Sequence, residues 1–192
     1  MEMIRDGKGR GYLASINSDN QMVTRATAIE QRLHSTIDEF YYEATTGVVT
    51  LTDANETGII YLKNDNTQGL VMVIDRFFFD IWASTSGTGG GTLKYYRNPT
   101  ITGGTDIVPN NTNYGSVKTA TGTFKKSTTT MTAGTVWWTS YITASCSIAL
   151  EEGRIVLPAG SSHGVSVAAP TGNTSMALSM NVAFYFFDSN LI

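Results

Sequence analysis

The segment from Leu70 to Trp82 constrains this chain more than any other, because it is β-forming throughout and apolar on both of its faces. Successive side chains of a strand point to opposite sides of the sheet. By that alternation Val71, Val73, Asp75, Phe77, Phe79 and Ile81 share one face, and Leu70, Met72, Ile74, Arg76, Phe78 and Trp82 share the other. A two-layer sandwich buries one such face and leaves the second to a covering segment or a neighbouring subunit. The run Phe184-Tyr185-Phe186-Phe187 repeats the feature near the end of the chain. Each large side chain buried this way contributes roughly 1.5–3 kcal/mol, and the same surface left wet is an aggregation hazard. Symmetric self-association is therefore expected, with Asp75 or Arg76 placed to form an ion pair at a subunit interface.

The remaining β pattern fills out a single sandwich over residues 40–192. Candidate strands are Phe40 to Thr45, Val48 to Thr52, Ile59 to Lys63, Leu70 to Trp82, Leu93 to Arg97, Ala144 to Leu150, Gly164 to Ala168 and Met176 to Phe187. Gly and Asn punctuate them at Thr46-Gly47, Asn64-Asp65-Asn66, Ser86 to Gly91, Glu151-Glu152-Gly153 and Thr171-Gly172-Asn173, where turns need positive φ. The order suits an antiparallel β-sandwich. Pro99 to Tyr141 is less regular and is expected to decorate one end, with a hairpin at Ser116 to Lys125.

Residues 1–39 read differently. Asp6-Gly7-Lys8-Gly9-Arg10-Gly11 has much backbone freedom and little to pack, so it reads as an arm. Tyr12 to Ile16 and Met22 to Thr27 flank a turn-forming Asn17-Ser18-Asp19-Asn20 and can pair as a small hairpin. Ile29, Leu33 and Ile37 recur at helical spacing, which predicts one short helix between Ala28 and Glu39. Arg5, Lys8, Arg10, Tyr12 and Arg25 are the arm's candidate partner contacts.

Charge removes several function classes. Only 15% of the residues are charged and the net charge is −3, so no positive field gathers nucleic acid by its phosphates. No run approaches about 18 apolar residues, and neither a membrane span nor a cleaved signal is expected. Cys146 has no second cysteine to pair with, which suggests synthesis in a reducing cytoplasm or a fold that needs no cross-link, and it reads as a small core hydrophobe. The sequons at Asn55, Asn110 and Asn173 are what a chain rich in Asn, Ser and Thr generates by chance.

No motif commits the chain to catalysis. Gly160-Ser161-Ser162-His163-Gly164 satisfies G-x-S-x-G, but a nucleophile elbow needs a helix after the serine, and here Val165-Ser166-Val167 begins a strand. His34 and His163 are the only histidines and lack metal-ligand spacing, while Asp53 and Asp65 read as turn residues without a calcium loop. Gly87 to Gly91 lacks the Lys-Ser or Lys-Thr that completes a phosphate loop. No catalytic residue, metal or cofactor is expected. Trp137, Trp138 and Tyr141 are a candidate sugar-stacking platform, in which a regular strand would let only one of the adjacent tryptophans take part.

Three stretches carry a resemblance. They are Gly11-Tyr12-Leu13-Ala14 through Gln21-Met22-Val23-Thr24-Arg25-Ala26, then Gly47-Val48-Val49-Thr50-Leu51-Thr52 with Ile60-Tyr61-Leu62-Lys63-Asn64-Asp65, and finally Val156-Leu157-Pro158-Ala159-Gly160 through Pro170-Thr171-Gly172-Asn173-Thr174-Ser175-Met176. In these the chain resembles small jelly-roll virion proteins of tailed bacteriophages, of the capsid decoration (cement) or head-fibre type. The resemblance implies an antiparallel jelly-roll-like β-sandwich that forms a homotrimer on the capsid outer surface, gripping the major capsid protein lattice through its N-terminal arm. A head-fibre, tail or receptor-binding module that recognises carbohydrate is the alternative.

Overall fold

The computed structural model describes residues 40–51, 55–84, 91–128, 130–142, 147–169 and 176–188. The expected arm with its hairpin, helix, His34 and contact residues Arg5, Lys8, Arg10, Tyr12 and Arg25 lies outside them, as do Asp53, Cys146 and the turn at 171–173.

The described residues form fourteen strands and no helix: β1 (Tyr41–Thr45), β2 (Val49–Leu51), β3 (Glu56–Lys63), β4 (Leu70–Ser84), β5 (Gly91–Arg97), β6 (Thr100–Thr102), β7 (Thr105–Asp106), β8 (Asn110–Asn111), β9 (Thr123–Thr128), β10 (Thr130–Thr132), β11 (Thr135–Ile142), β12 (Ser147–Leu157), β13 (Ser162–Ala168) and β14 (Met176–Asp188). One antiparallel sheet runs β12-β4-β14-β1-β8, with β2 also on β14, and the other runs β11-β5-β13-β3-β9-β7. Among the eight principal strands, β1, β4, β12 and β14 fall in the first sheet and β3, β5, β11 and β13 in the second. That interleaving is the double Greek key of a jelly roll. The layers meet through aromatic pairs, with Phe77 edge-on to Tyr95 at 5.8 Å and Phe124 stacked on Phe184 at 5.2 Å.

Strand β4 does not keep the strict alternation expected of it. Met72 and Ile74 enter the core, and then Phe77, Phe79 and Ile81 do. The switch falls at a bulge, for β14 pairs Ala183 with Arg76 but Phe184 with Ile74, which leaves Asp75 as the extra residue. A bulge flips every following side chain to the other face. Asp75 therefore accepts a 2.6 Å hydrogen bond from Tyr41 Oη on the outer side, in a cluster with Val73, Ala183 and Tyr185. Arg76 pairs with Glu43 at 2.6 Å. Both groups expected at a subunit interface thus have partners within the chain.

Other boundaries differ for similar reasons. Thr46-Gly47 is no hairpin turn, because β1 and β2 lie along the same edge of β14. The buried Thr46 bridges their break, its backbone N–H donating to Met180 O and its Oγ1 accepting from Met180 N, each at 2.9 Å. Glu151-Glu152-Gly153 lies inside β12, as an irregularity between Glu151 and Ile155. No hairpin forms at Ser116 to Lys125, since β9 pairs with β3 and β7. The 99–141 region also supplies a principal strand, β11, along the edge of β5.

The small β6-β10 ribbon seats Met131 on the outside of the second sheet. A Cβ on Gly164 would lie 2.7 Å from Met131 Sδ and 2.9 Å from Pro99 Cγ, and one on Gly58 would collide with Thr128 and Met131. Gly164 therefore serves packing, whereas Gly160, at φ 81°, serves the turn before β13.

Candidate functional site

The two sandwich edges are built differently. At one, the chain passes from β7 in the second sheet to β8 in the first and back to β9, bridging the layers. At the other, β11 and β12 end their sheets as opposing edge strands. A cavity of about 380 Å³ opens there, lined by Arg97, Asn98, Trp137, Val156, Ser161 and His163 among others.

Local structure holds each wall. On one side, Asn64 is fully buried, donating from Nδ2 to Leu70 O at 2.9 Å and Leu157 O at 2.8 Å, while its carbonyl accepts from Gly160 N at 2.7 Å. This ties the Pro158–Ser161 turn to the first sheet. On the other, Asn98 takes a left-handed φ of 51° and extends the β5-β13 pairing with its side chain, Oδ1 accepting from Ser162 N at 2.9 Å.

Trp137 owes its position to a bulge. Val136 pairs with Tyr96 and Trp138 with Tyr95, so Trp137 is an extra residue and the two tryptophans escape the opposite-face rule. Both rings lie against Tyr95, Trp137 at 5.7 Å and Trp138 at 4.8 Å. Trp137 stays half exposed, at 48%. Trp138, packed against the core, shares the face of Ile142, so Tyr141 looks outward from the other face of β11 and is not part of this group.

His163 forms the floor. It is 1% exposed, with Phe77 at 5.2 Å, Tyr95 at 5.7 Å and Trp137 at 6.1 Å, and its Nε2 has no hydrogen-bond partner. Loss of solvent pushes its pKa down to about 3, so the imidazole is neutral at ordinary pH. The hydroxyl of Tyr95 is likewise buried without a partner, and burial raises its pKa. Ser162 opens β13 on the face opposite His163, so the two do not form a nucleophile and base, and no helix follows.

A second polar cluster lies on the outside of the second sheet and is saturated. Glu56 accepts from Lys94 at 2.5 Å, from Ser166 Oγ at 2.6 Å and from Tyr96. Burial pushes the Glu56 carboxyl up, yet these donors outweigh it and hold the group below its ordinary value. Asp65 accepts from Thr123 and pairs with Lys63, each at 2.6 Å, tying its turn to β9. Among the described residues no three His, Cys, Asp or Glu side chains cluster as metal ligands.

Fold and cleft together define a jelly-roll sandwich with an aromatic-walled, polar-floored opening at one edge. No family model, curated protein or solved structure matches the chain.

Proposed function

We propose that this chain is a non-enzymatic virion structural protein, a homotrimer that decorates or cements a bacteriophage capsid by binding the major capsid protein lattice from outside. The reading takes up the resemblance read from the three sequence stretches, and the observation that supports it best is the loop at the bridged edge. There Val108, Tyr114 and Val117 are 81%, 98% and 94% exposed. The loop is nevertheless ordered by its own polar groups: Asn111 Oδ1 accepts from Asn113 N at 2.9 Å, Asn113 Oδ1 from Gly115 N at 3.1 Å, and Ser116 Oγ from Lys118 N at 3.1 Å. An apolar surface fixed before contact binds without a large ordering cost, and tyrosine is enriched at such surfaces.

The loop also sits beside the junction with residues 1–39. Thr112 N donates to Tyr41 O at 3.0 Å, and Lys118 Nζ lies 4.4 Å over the Phe40 ring. The described domain therefore begins beside this loop, which the proposal makes part of the shell-contacting surface. Capsids lacking this protein, mixed with the full chain, test the reading. Tyr114→Ala with Val117→Ser is expected to weaken binding at least about tenfold, or 1.4 kcal/mol. Undiminished binding by both that variant and a chain lacking residues 1–39 overturns it, as does a monomer in sedimentation.

A further inference from the structure

We propose that the cleft between β11 and β12 is a saccharide site that takes a sugar ring bearing a carboxylate. It goes beyond the shell-binding reading and is independent of it, because the cleft and the Tyr114 loop occupy opposite edges of the sandwich.

The first observation is the pairing of one flat apolar wall with polar groups around it. The bulge at Trp137 presents a half-exposed indole, backed by Tyr95 and Trp138. Such a face packs against the C–H side of a pyranose. The volume of about 380 Å³ falls within the roughly 300–1,000 Å³ of small-molecule sites.

The floor supplies the second observation. A buried nitrogen without a partner costs about 1–3 kcal/mol and calls for an explanation in a folded protein. His163 Nε2 is such an atom on a residue that lines the cavity. A hydroxyl both donates and accepts, so it satisfies either neutral tautomer of the imidazole. An apolar ligand would leave the nitrogen as it is. A polyhydroxylated ring removes the deficit.

The third observation selects charge. Arg97 ends β5 at the rim, its side chain exposed, and among the described residues the ion pairs are made by Lys63, Arg76, Lys94 and Lys125 and not by Arg97. A guanidinium fork matches a carboxylate with two parallel hydrogen bonds. Because the Pro158–Ser161 turn and Asn98 are held by backbone hydrogen bonds, the opposing walls exist before the ligand arrives.

The test uses the full chain on an immobilised panel of oligosaccharides carrying uronic or sialic acids, beside their neutral counterparts. Carboxylated members are expected to bind at least tenfold better than neutral ones. Trp137→Ala and Arg97→Gln should each lose about tenfold, while Tyr141→Ala on the outer face binds as the parent does. Should Trp137→Ala fail to fold, the exposed Arg97→Gln and the ring-preserving Trp137→Phe, expected to keep most of the affinity, carry the test. Failure of every carboxylated member to bind, equal binding of neutral members, or binding that follows Tyr141 rather than Trp137 overturns the proposal. Capsid binding of the same variants is expected to be unchanged, which separates this failure from that of the shell reading.

Discussion

The bridged edge and the open edge of this sandwich solve the same problem in opposite ways. Edge strands leave backbone groups and core side chains without neighbours. At the bridged edge the chain crosses between layers, and Asn111, Asn113 and Ser116 satisfy the loop from within. Behind it Phe184 stacks on Tyr42 at 5.7 Å and on Phe124 at 5.2 Å, which locks β14, β1 and β9 together. At the open edge aromatic rings gather as densely, yet Tyr95 Oη and His163 Nε2 stay unpartnered and Trp137 half exposed. The bridged side also leaves the buried Thr128 Oγ1 without a hydrogen bond, so the difference lies in the setting: at the open edge His163 lines a cavity beside a half-exposed indole.

The comparison breaks first on core truncation. Phe184→Ala is expected to cost about 4 kcal/mol by denaturant unfolding, as a large aromatic lost from a closed core, whereas Trp137→Ala at the open edge should cost about 1 kcal/mol or less. Equal losses would mean that the two edges carry equal shares of the fold.

The next effect is read against pH. The folded pKa of His163 lies near 3, below its ordinary 6.5, so as pH falls the unfolded chain takes up the proton first. Stability should decline from about pH 6.5 towards pH 3, by at most about 1.4 kcal/mol per unit from this group. His163→Leu should flatten that part of the curve and be no less stable near pH 7. A variant with an unaltered slope would show that His163 meets solvent.

Smaller still is the loop at the bridged edge. Asn113→Ala removes the side-chain acceptor for Gly115 N and should cost about 1 kcal/mol. Asp106, 80% exposed in its side chain, holds Lys125 only at the surface, and Asp106→Asn should shift stability by less than about 0.5 kcal/mol. Thermal melts of the two variants rank them.

Much of this architecture can be read from residue periodicity, because Leu70–Trp82, Leu93–Arg97 and Met176–Phe187 are strand segments whose packing agrees with their local preference. The antiparallel sandwich follows from them, and its jelly-roll connectivity from the resemblance. Hidden from the sequence are the irregularities: nothing in Ile74-Asp75-Arg76 marks the bulge that inverts the rest of β4, and nothing in Val136-Trp137-Trp138 marks the one that sets both indoles on Tyr95. Bulges are fixed by how two distant strands pair, and pairing is not local. Strand β11 was obscured by its Thr-rich approach. The cleft draws on β5, β11, β12 and β13, so Arg97 and His163 carried no shared signal. Trp137 did, since a large aromatic beside polar turns is visible in any sequence.

The seat of Met131 carries a consequence for how such a chain can change over generations. Its thioether rests where a side chain on Gly58 or Gly164 would stand, with Thr128 crowding the first and Pro99 the second. Three positions on separate strands are thus inherited as one. A shorter residue at 131 removes the nearest obstacle at 164 and leaves Pro99 to give way, whereas 58 stays closed while Thr128 stands against it. In descendants of this sequence, change at 164 is expected to follow change at 131, and change at 58 to follow change at both 128 and 131.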